Sequence, residues 1–156
     1  MNGKFIDTVF RDGGNWEVIL PSSKVKDPVL DIVVEGMGHI NFAQFMIDRK
    51  GITDRVTLNG MTLMNWETFM LPMNEKMVQS TKWMSRTDDP TGCSMFEGSF
   101  GLSQTGDTFF DLSGYVKGMV YVNGHLLGRY WKIGPQRRLY CPAAWLKKGR
   151  NQHRVS

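Results

Sequence analysis

The residues of this chain that could do chemistry are few, and the most suggestive run is "GRYWKIGPQ", which holds Arg129, Tyr130, Trp131 and Gln136. An aromatic face stacks on the C–H side of a sugar ring, while a guanidinium and an amide bond its hydroxyls. These four residues are therefore the candidates for carbohydrate binding. Side chains alternate along a strand, so Tyr130 and Trp131 face opposite sides, and only one can meet a ligand while the other enters the core. The plainer reading has the buried aromatic anchoring the fold while Arg129 and Gln136 bond the loop backbone.

Paired carboxylates are the other chemical possibility. Asp88-Asp89, Asp107 and Asp111 lie in turn and strand-edge contexts. Asp favours such places because its side chain bonds the nearby backbone, so a turn role is expected rather than a catalytic dyad. No Ser-His-Asp order, Gly-rich phosphate loop or metal-ligand spacing occurs. His39, His125 and His153 are scattered and read as surface or strand residues. Catalytic residues, a metal site and a cofactor are thus not expected. Cys93 and Cys141 are too few for a metal cluster; one disulfide in an oxidising compartment stays open, because sequence alone does not place their Cα atoms, and two ordinary thiols is the adopted reading.

The net charge of +4 is unevenly placed. Arg129, Lys132, Arg137, Arg138, Lys147, Lys148, Arg150 and Arg154 fall in a stretch with no Asp or Glu. Such a stretch can meet nucleic acid, but a solvated sheet face with a basic loop is the adopted reading, and no nucleic-acid partner is expected. No apolar run approaches the ~20 residues of a membrane helix, and no basic-then-apolar leader opens the chain. No membrane partner is expected, and localisation stays unassigned.

The elements that must position these residues are strands. "WEVILP", "VLDIVVE", "DRVTLNG", "TFFDLSG", "GMVYVNG", "HLLGRYW" and "RRLYCP" are short, rich in β-branched or aromatic residues, and bounded by turn formers. That is the pattern of an all-β sandwich or barrel. No window sustains helical apolar spacing over three turns, and "AAWLKKG" offers one short turn at most. The 11 Met residues read as adaptable core filler.

Displacing the sequence by 121 positions superposes Asn2-Gly3 on Asn123-Gly124, Gly13 on Gly134, Pro21 on Pro142 and Val34 on Val155. The identities sit where backbone geometry restricts residue choice. Asn-Gly is a two-residue hairpin corner that needs a strand on each side, yet only Met1 precedes Asn2. The second corner has its partner strand in Gly118 to Val122. The expectation is therefore a chain that starts partway through a domain: residues 1–62 the C-terminal part of a first β-domain, and 63–156 a second, complete one. In the first copy "VLDIVVE" can bury Leu30, Ile32 and Val34, whereas its counterpart "NQHRVS" offers only Val155.

The run "GDTFFDLSGYVKGMVYVNGHLLGRYWKIGPQRRLYCPAAWLKKG" resembles the C-terminal galactose-binding-like domain of glycoside hydrolase family 35, the β-galactosidases. "VVEGMGHINFAQFMIDRKGITDRVTLNG" resembles a signature of the preceding β-domain in that family. The resemblance implies a jelly-roll, galactose-binding-domain-like β-sandwich preceded by a partial second β-domain. It also implies an upstream catalytic barrel as partner, whose two glutamates act as nucleophile and acid/base ~5 to 5.5 Å apart. Nothing in this sequence matches those glutamates. The expected function is therefore a non-catalytic β-domain region, inactive alone, that supports the barrel, the active-site rim or oligomer contacts.

The alternative is a stand-alone galactoside-binding module, and open strand edges imply self-association. The family signature V-E-N-x-G-R-x-N-Y-G is altered here: His39 stands for Arg and Phe42 for Tyr. Asn41 and Phe42 are the rim candidates, with less hydrogen-bonding capacity than the family pattern has. Trp16, Trp66, Trp83 and Trp145 read as core or interdomain packing.

Overall fold

The computed structural model describes residues 1–11, 13–36, 38, 40–82 and 94–156. His39, Trp83, Asp88, Asp89 and Cys93, all singled out above, lie outside the described residues. Two units divide between Met70 and Leu71.

In the first unit a 3-10 turn, Ala43–Ile47, precedes the hairpin of β1 (Thr57–Leu58) and β2 (Met61–Thr62). Asn59 and Gly60 form its corner with φ of +48° and +82°. Both turn positions need positive φ, which suits this residue pair. The expected strands over 16–21 and 29–35 are not formed. Leu30 is only half-buried, and Ile32 and Val34 are exposed. A strand needs a neighbouring strand for its N–H and C=O groups, and among the described residues no strand pairs with either run. No described residue of the first unit is buried.

The second unit holds α1 (Glu75–Ser80), β3 (Phe96–Leu102), β4 (Thr108–Asp111), β5 (Lys117–Val122), β6 (His125–Trp131), β7 (Arg138–Cys141), a 3-10 turn over Ala143–Trp145, and β8 (Gly149–Val155). One antiparallel sheet has the order β3-β8-β5-β6, and the other pairs β4 with β7. Their inner faces enclose Leu112, Val120, Val122, Tyr130, Leu139, Cys141, Leu146 and Val155. This is the all-β sandwich that the sequence predicts. Strand β5 is its centre, flanked on both sides, with Val120 and Val122 wholly buried. Tyr121 points the other way and is covered by the α1 segment, since its hydroxyl donates to the Met73 carbonyl. Asn74 caps α1 by accepting from the Met77 N–H at 2.9 Å, and Val78 is buried. A helix of six residues is marginal by itself, so this packing holds it.

Asn123 and Gly124 turn β5 into β6 with φ of +48° and +88°. The Asn123 N–H donates to the Gln152 carbonyl, and its Oδ1 accepts from the Gln152 N–H, both at 2.9 Å. Its Nδ2 donates to the Trp145 carbonyl at 2.7 Å and to Asn151 Oδ1 at 2.8 Å. Asn151, wholly buried, accepts also from the Lys147 N–H and donates to the carbonyls of Lys147 and Gly149. Two amides thus tie the corner, the 3-10 turn, the following loop and β8 together. The first unit repeats the bracket: Asn2 N–H donates to the Val29 carbonyl and Asn2 Oδ1 accepts from the Val29 N–H, each at 2.9 Å. Asn2 Nδ2 reaches Ser23 Oγ at 3.3 Å. The duplicated corners share one hydrogen-bond pattern.

The strand over "NQHRVS" is longer than its single apolar residue suggests. Asn151 takes an inner position by satisfying its amide internally. His153 takes the next, 5.9 Å from Phe100 and 6.4 Å from Phe110 between ring centroids. Its ring lies over Gly98, where a Cβ would come within 2.6 Å.

Replacing Asn151 by Ala leaves the Lys147 N–H and two loop carbonyls without their partner. Unsatisfied buried groups cost about 1–3 kcal/mol each, and partial rehydration offsets some of that. Urea unfolding is expected to show Asn151→Ala losing about 2–4 kcal/mol, against less than about 0.5 kcal/mol for Ser99→Ala on the exposed sheet face. Equal losses for the two would contradict the role given to Asn151.

Candidate functional site

The four carbohydrate candidates do not converge. Tyr130 enters the core at 3 % exposure, and its hydroxyl donates to the Ser156 carbonyl at 2.7 Å. Burial, aided by Tyr115, raises its pKa. Trp131 follows on the opposite face, half-buried, with Lys117 Nζ 5.9 Å from the ring centroid. Arg129 shares that outer face and lies opposite Met119 in the β5–β6 register. Gln136 is elsewhere: it lines a concavity of about 460 Å³ with Phe109, Leu127, Arg138, Tyr140 and Trp145.

That concavity contains aromatic surface that the sequence reading did not single out. Phe109 and Tyr140 are 64 % and 50 % exposed and meet edge to face at 5.6 Å. They are partners in the β4–β7 register, on its outer face, while Phe110 and Leu139 fill the inner one. Leu127 comes to the wall through a bulge. Val120 pairs with Gly128 and Tyr121 with Leu126, so Leu127 is the extra residue. Trp145 is stacked by His125 at 4.8 Å. The signal available in the sequence was the "TFF" alternation of β4 opposite "RLY" of β7.

The acids of this region are occupied. Asp107 Oδ1 accepts from the Ala143 N–H at 2.8 Å, and its carboxylate also bonds the Tyr140 hydroxyl. Asp111 accepts from the N–H and hydroxyl of Ser113 and pairs with Arg138 at 3.0 Å. The Ala143 and Tyr140 bonds lower the pKa of Asp107, and the Ser113 bonds, with Arg138, lower that of Asp111. A general acid needs its pKa raised, so these carboxylates suit the turn role. Asn41 and Phe42 stand exposed immediately before the 3-10 turn of the first unit, Phe42 at 76 %. Cys141 is a buried thiol whose pKa burial raises.

A depressed folded-state pKa adds stability that is complete above the unfolded value, about 4 for Asp, and is lost as pH falls through the folded value. The melting-temperature gap between the parent chain and Asp107→Asn or Asp111→Asn should therefore be open at neutral pH. It should close as pH drops below about 4. A gap unchanged down to acid unfolding would exclude these carboxylates as native-state acceptors.

Two family models match the sequence. The β-galactosidase first all-beta domain matches residues 1–72, and the β-galactosidase galactose-binding domain matches residues 93–151. The chain is 43 % identical over 129 residues to β-galactosidase-1-like protein 2 of Homo sapiens, covering 80 % of this chain and 20 % of that protein. It is 32 % identical to β-galactosidase 1 of Dictyostelium discoideum (87 % and 22 %) and 32 % identical to β-galactosidase 17 of Arabidopsis thaliana (95 % and 24 %). The chain thus spans between a fifth and a quarter of the length of these relatives. Aligned in order with two successive β-domains of those enzymes, this chain belongs to the β-galactosidase family and carries its non-catalytic β-domains.

Proposed function

We propose that the chain serves a β-galactosidase as a supporting region, packing against the catalytic barrel, its active-site rim or a neighbouring subunit. One observation carries this reading: the first unit exposes its apolar side chains instead of burying them. Ile19 is 94 % exposed, Phe69 79 %, and Phe5, Trp16, Val33 and Phe45 each more than half. Apolar surface on this scale marks a contact face. Phe42, 76 % exposed, and the exposed Asn41 beside it are in keeping with a rim role. The runs without strand partners favour self-association when the chain is alone.

The purified chain is expected to leave nitrophenyl β-galactoside intact and to self-associate with rising concentration in light scattering. Steady hydrolysis would overturn the supporting role, and a monomer at every concentration would overturn the contact face.

A second reading, galactoside binding by the second unit, is favoured by the exposed Phe109–Tyr140 pair beside Gln136. Galactose should then raise the melting temperature, Tyr140→Ala should abolish the rise, and Trp131→Ala should leave it in place. An unshifted melting temperature at the solubility limit of the sugar would end that reading.

A further inference from the structure

A second concavity, of about 560 Å³, opens at the Asn123 corner after β5, where β8 runs on beside β3. Its walls are Glu97 and Ser99 of β3, Asn123, Arg150 and Gln152 of β8, and Lys147 of the preceding loop. No aromatic or aliphatic side chain lines it. A neutral sugar has no ring to stack on there, nor has a nucleobase, so the lining favours a ligand held by charge.

The charges do not cancel. Glu97, the acid of the wall, is engaged by Arg154 Nε at 2.9 Å. Among the described residues, no carboxylate lies within ion-pair distance of Lys147 or Arg150. Both are exposed, so their charges reach the solvent side of the concavity. Their backbone is nonetheless fixed. The buried Asn151 amide holds the Lys147 N–H at 2.9 Å and the carbonyls of Lys147 and Gly149 at 2.8 and 3.1 Å. Gly149 turns between the two cations with φ of +93°. Less ordering is required on binding when the cations spring from a loop already tied down.

Two cations beside a serine hydroxyl and a glutamine amide match a hydroxylated ligand that carries one oxyanion. We propose that this concavity binds an acidic saccharide: Lys147 and Arg150 take the carboxylate or sulfate, and Ser99 and Gln152 bond ring hydroxyls. The site lies on residues that the supporting role does not use, so either can fail without the other.

Calorimetric titration of the full chain with D-galacturonate, D-galactose, acetate and inorganic sulfate separates the contributions. Galacturonate is expected to bind at least about tenfold more tightly than galactose, which lacks the charge-assisted bonds, or acetate, which lacks the ring hydroxyls. Lys147→Ala and Arg150→Ala should each weaken it about tenfold and leave the melting temperature unchanged. Lys148→Ala, outside the lining, should bind as the parent does, and added salt should weaken binding. Three results would each overturn the proposal. They are no heat with galacturonate, galacturonate binding indifferent to both substitutions, and acetate or sulfate binding as tightly as galacturonate, which would leave a simple anion site.

Discussion

The amide pair Asn123–Asn151 is the constraint on which the second unit depends. An Asn at the first position of a two-residue corner is chosen for its tolerance of positive φ. Here its side chain does a second job by gripping β8, which approaches from far along the chain. A corner between β5 and β6 is a local event. The bracket to Gln152 converts it into a register for the third strand, because the corner fixes which residue of β8 lies beside Asn123. Asn151 then carries the same constraint on to the loop before β8. Neither amide is left with an unused donor or acceptor, and that is what permits Asn151 to sit in the interior at all.

The same bracket in the first unit shows what it cannot do alone. Asn2 grips Val29 with the same two bonds, yet the flanking runs do not become strands. In the second unit the pair β6 and β8 is separated by β5, which bonds both and contributes the wholly buried Val120 and Val122. Among the described residues of the first unit, β1 and β2 are the only strands, and neither lies beside the Asn2 corner. Corner geometry is encoded by two residues, whereas the core is made by the central strand.

Much of the second unit was legible in the sequence because turn residues and alternation carry it. The Asn-Gly corners, the strand ending at Pro142 and the single helical turn after it all follow from local backbone preferences. So does the division of labour between Tyr130 and Trp131, which alternation alone requires. The first unit was less legible. "WEVILP" and "VLDIVVE" have strand composition, but composition reports compatibility with a sheet and does not supply the neighbour. The β6 bulge was also hidden. Gly128 in "LLGRY" allows it, yet the register that makes Leu127 the extra residue is set by β5 across the hairpin. "NQHRVS" looked too polar for an inner strand face because the partners of Asn151 and His153 lie at Asn123, Lys147, Gly98 and Phe100, mostly remote in sequence.

The candidate sites show the same division more sharply. A site read from one contiguous run keeps only alternate side chains where that run is a strand, since the others face inward. "GRYWKIGPQ" lost Tyr130 to the core and sent Gln136 to a different concavity. Both concavities of the second unit are instead assembled from strands distant in sequence: β4 with β7 in one, and β3 with β8 in the other. Their residue types are ordinary, and only register makes them neighbours. The excess of Lys and Arg after residue 129 was visible, but charge in a sequence has no direction. What gives Lys147 and Arg150 a common outlook is an uncharged residue, Asn151, whose amide sets the backbone from which both side chains leave.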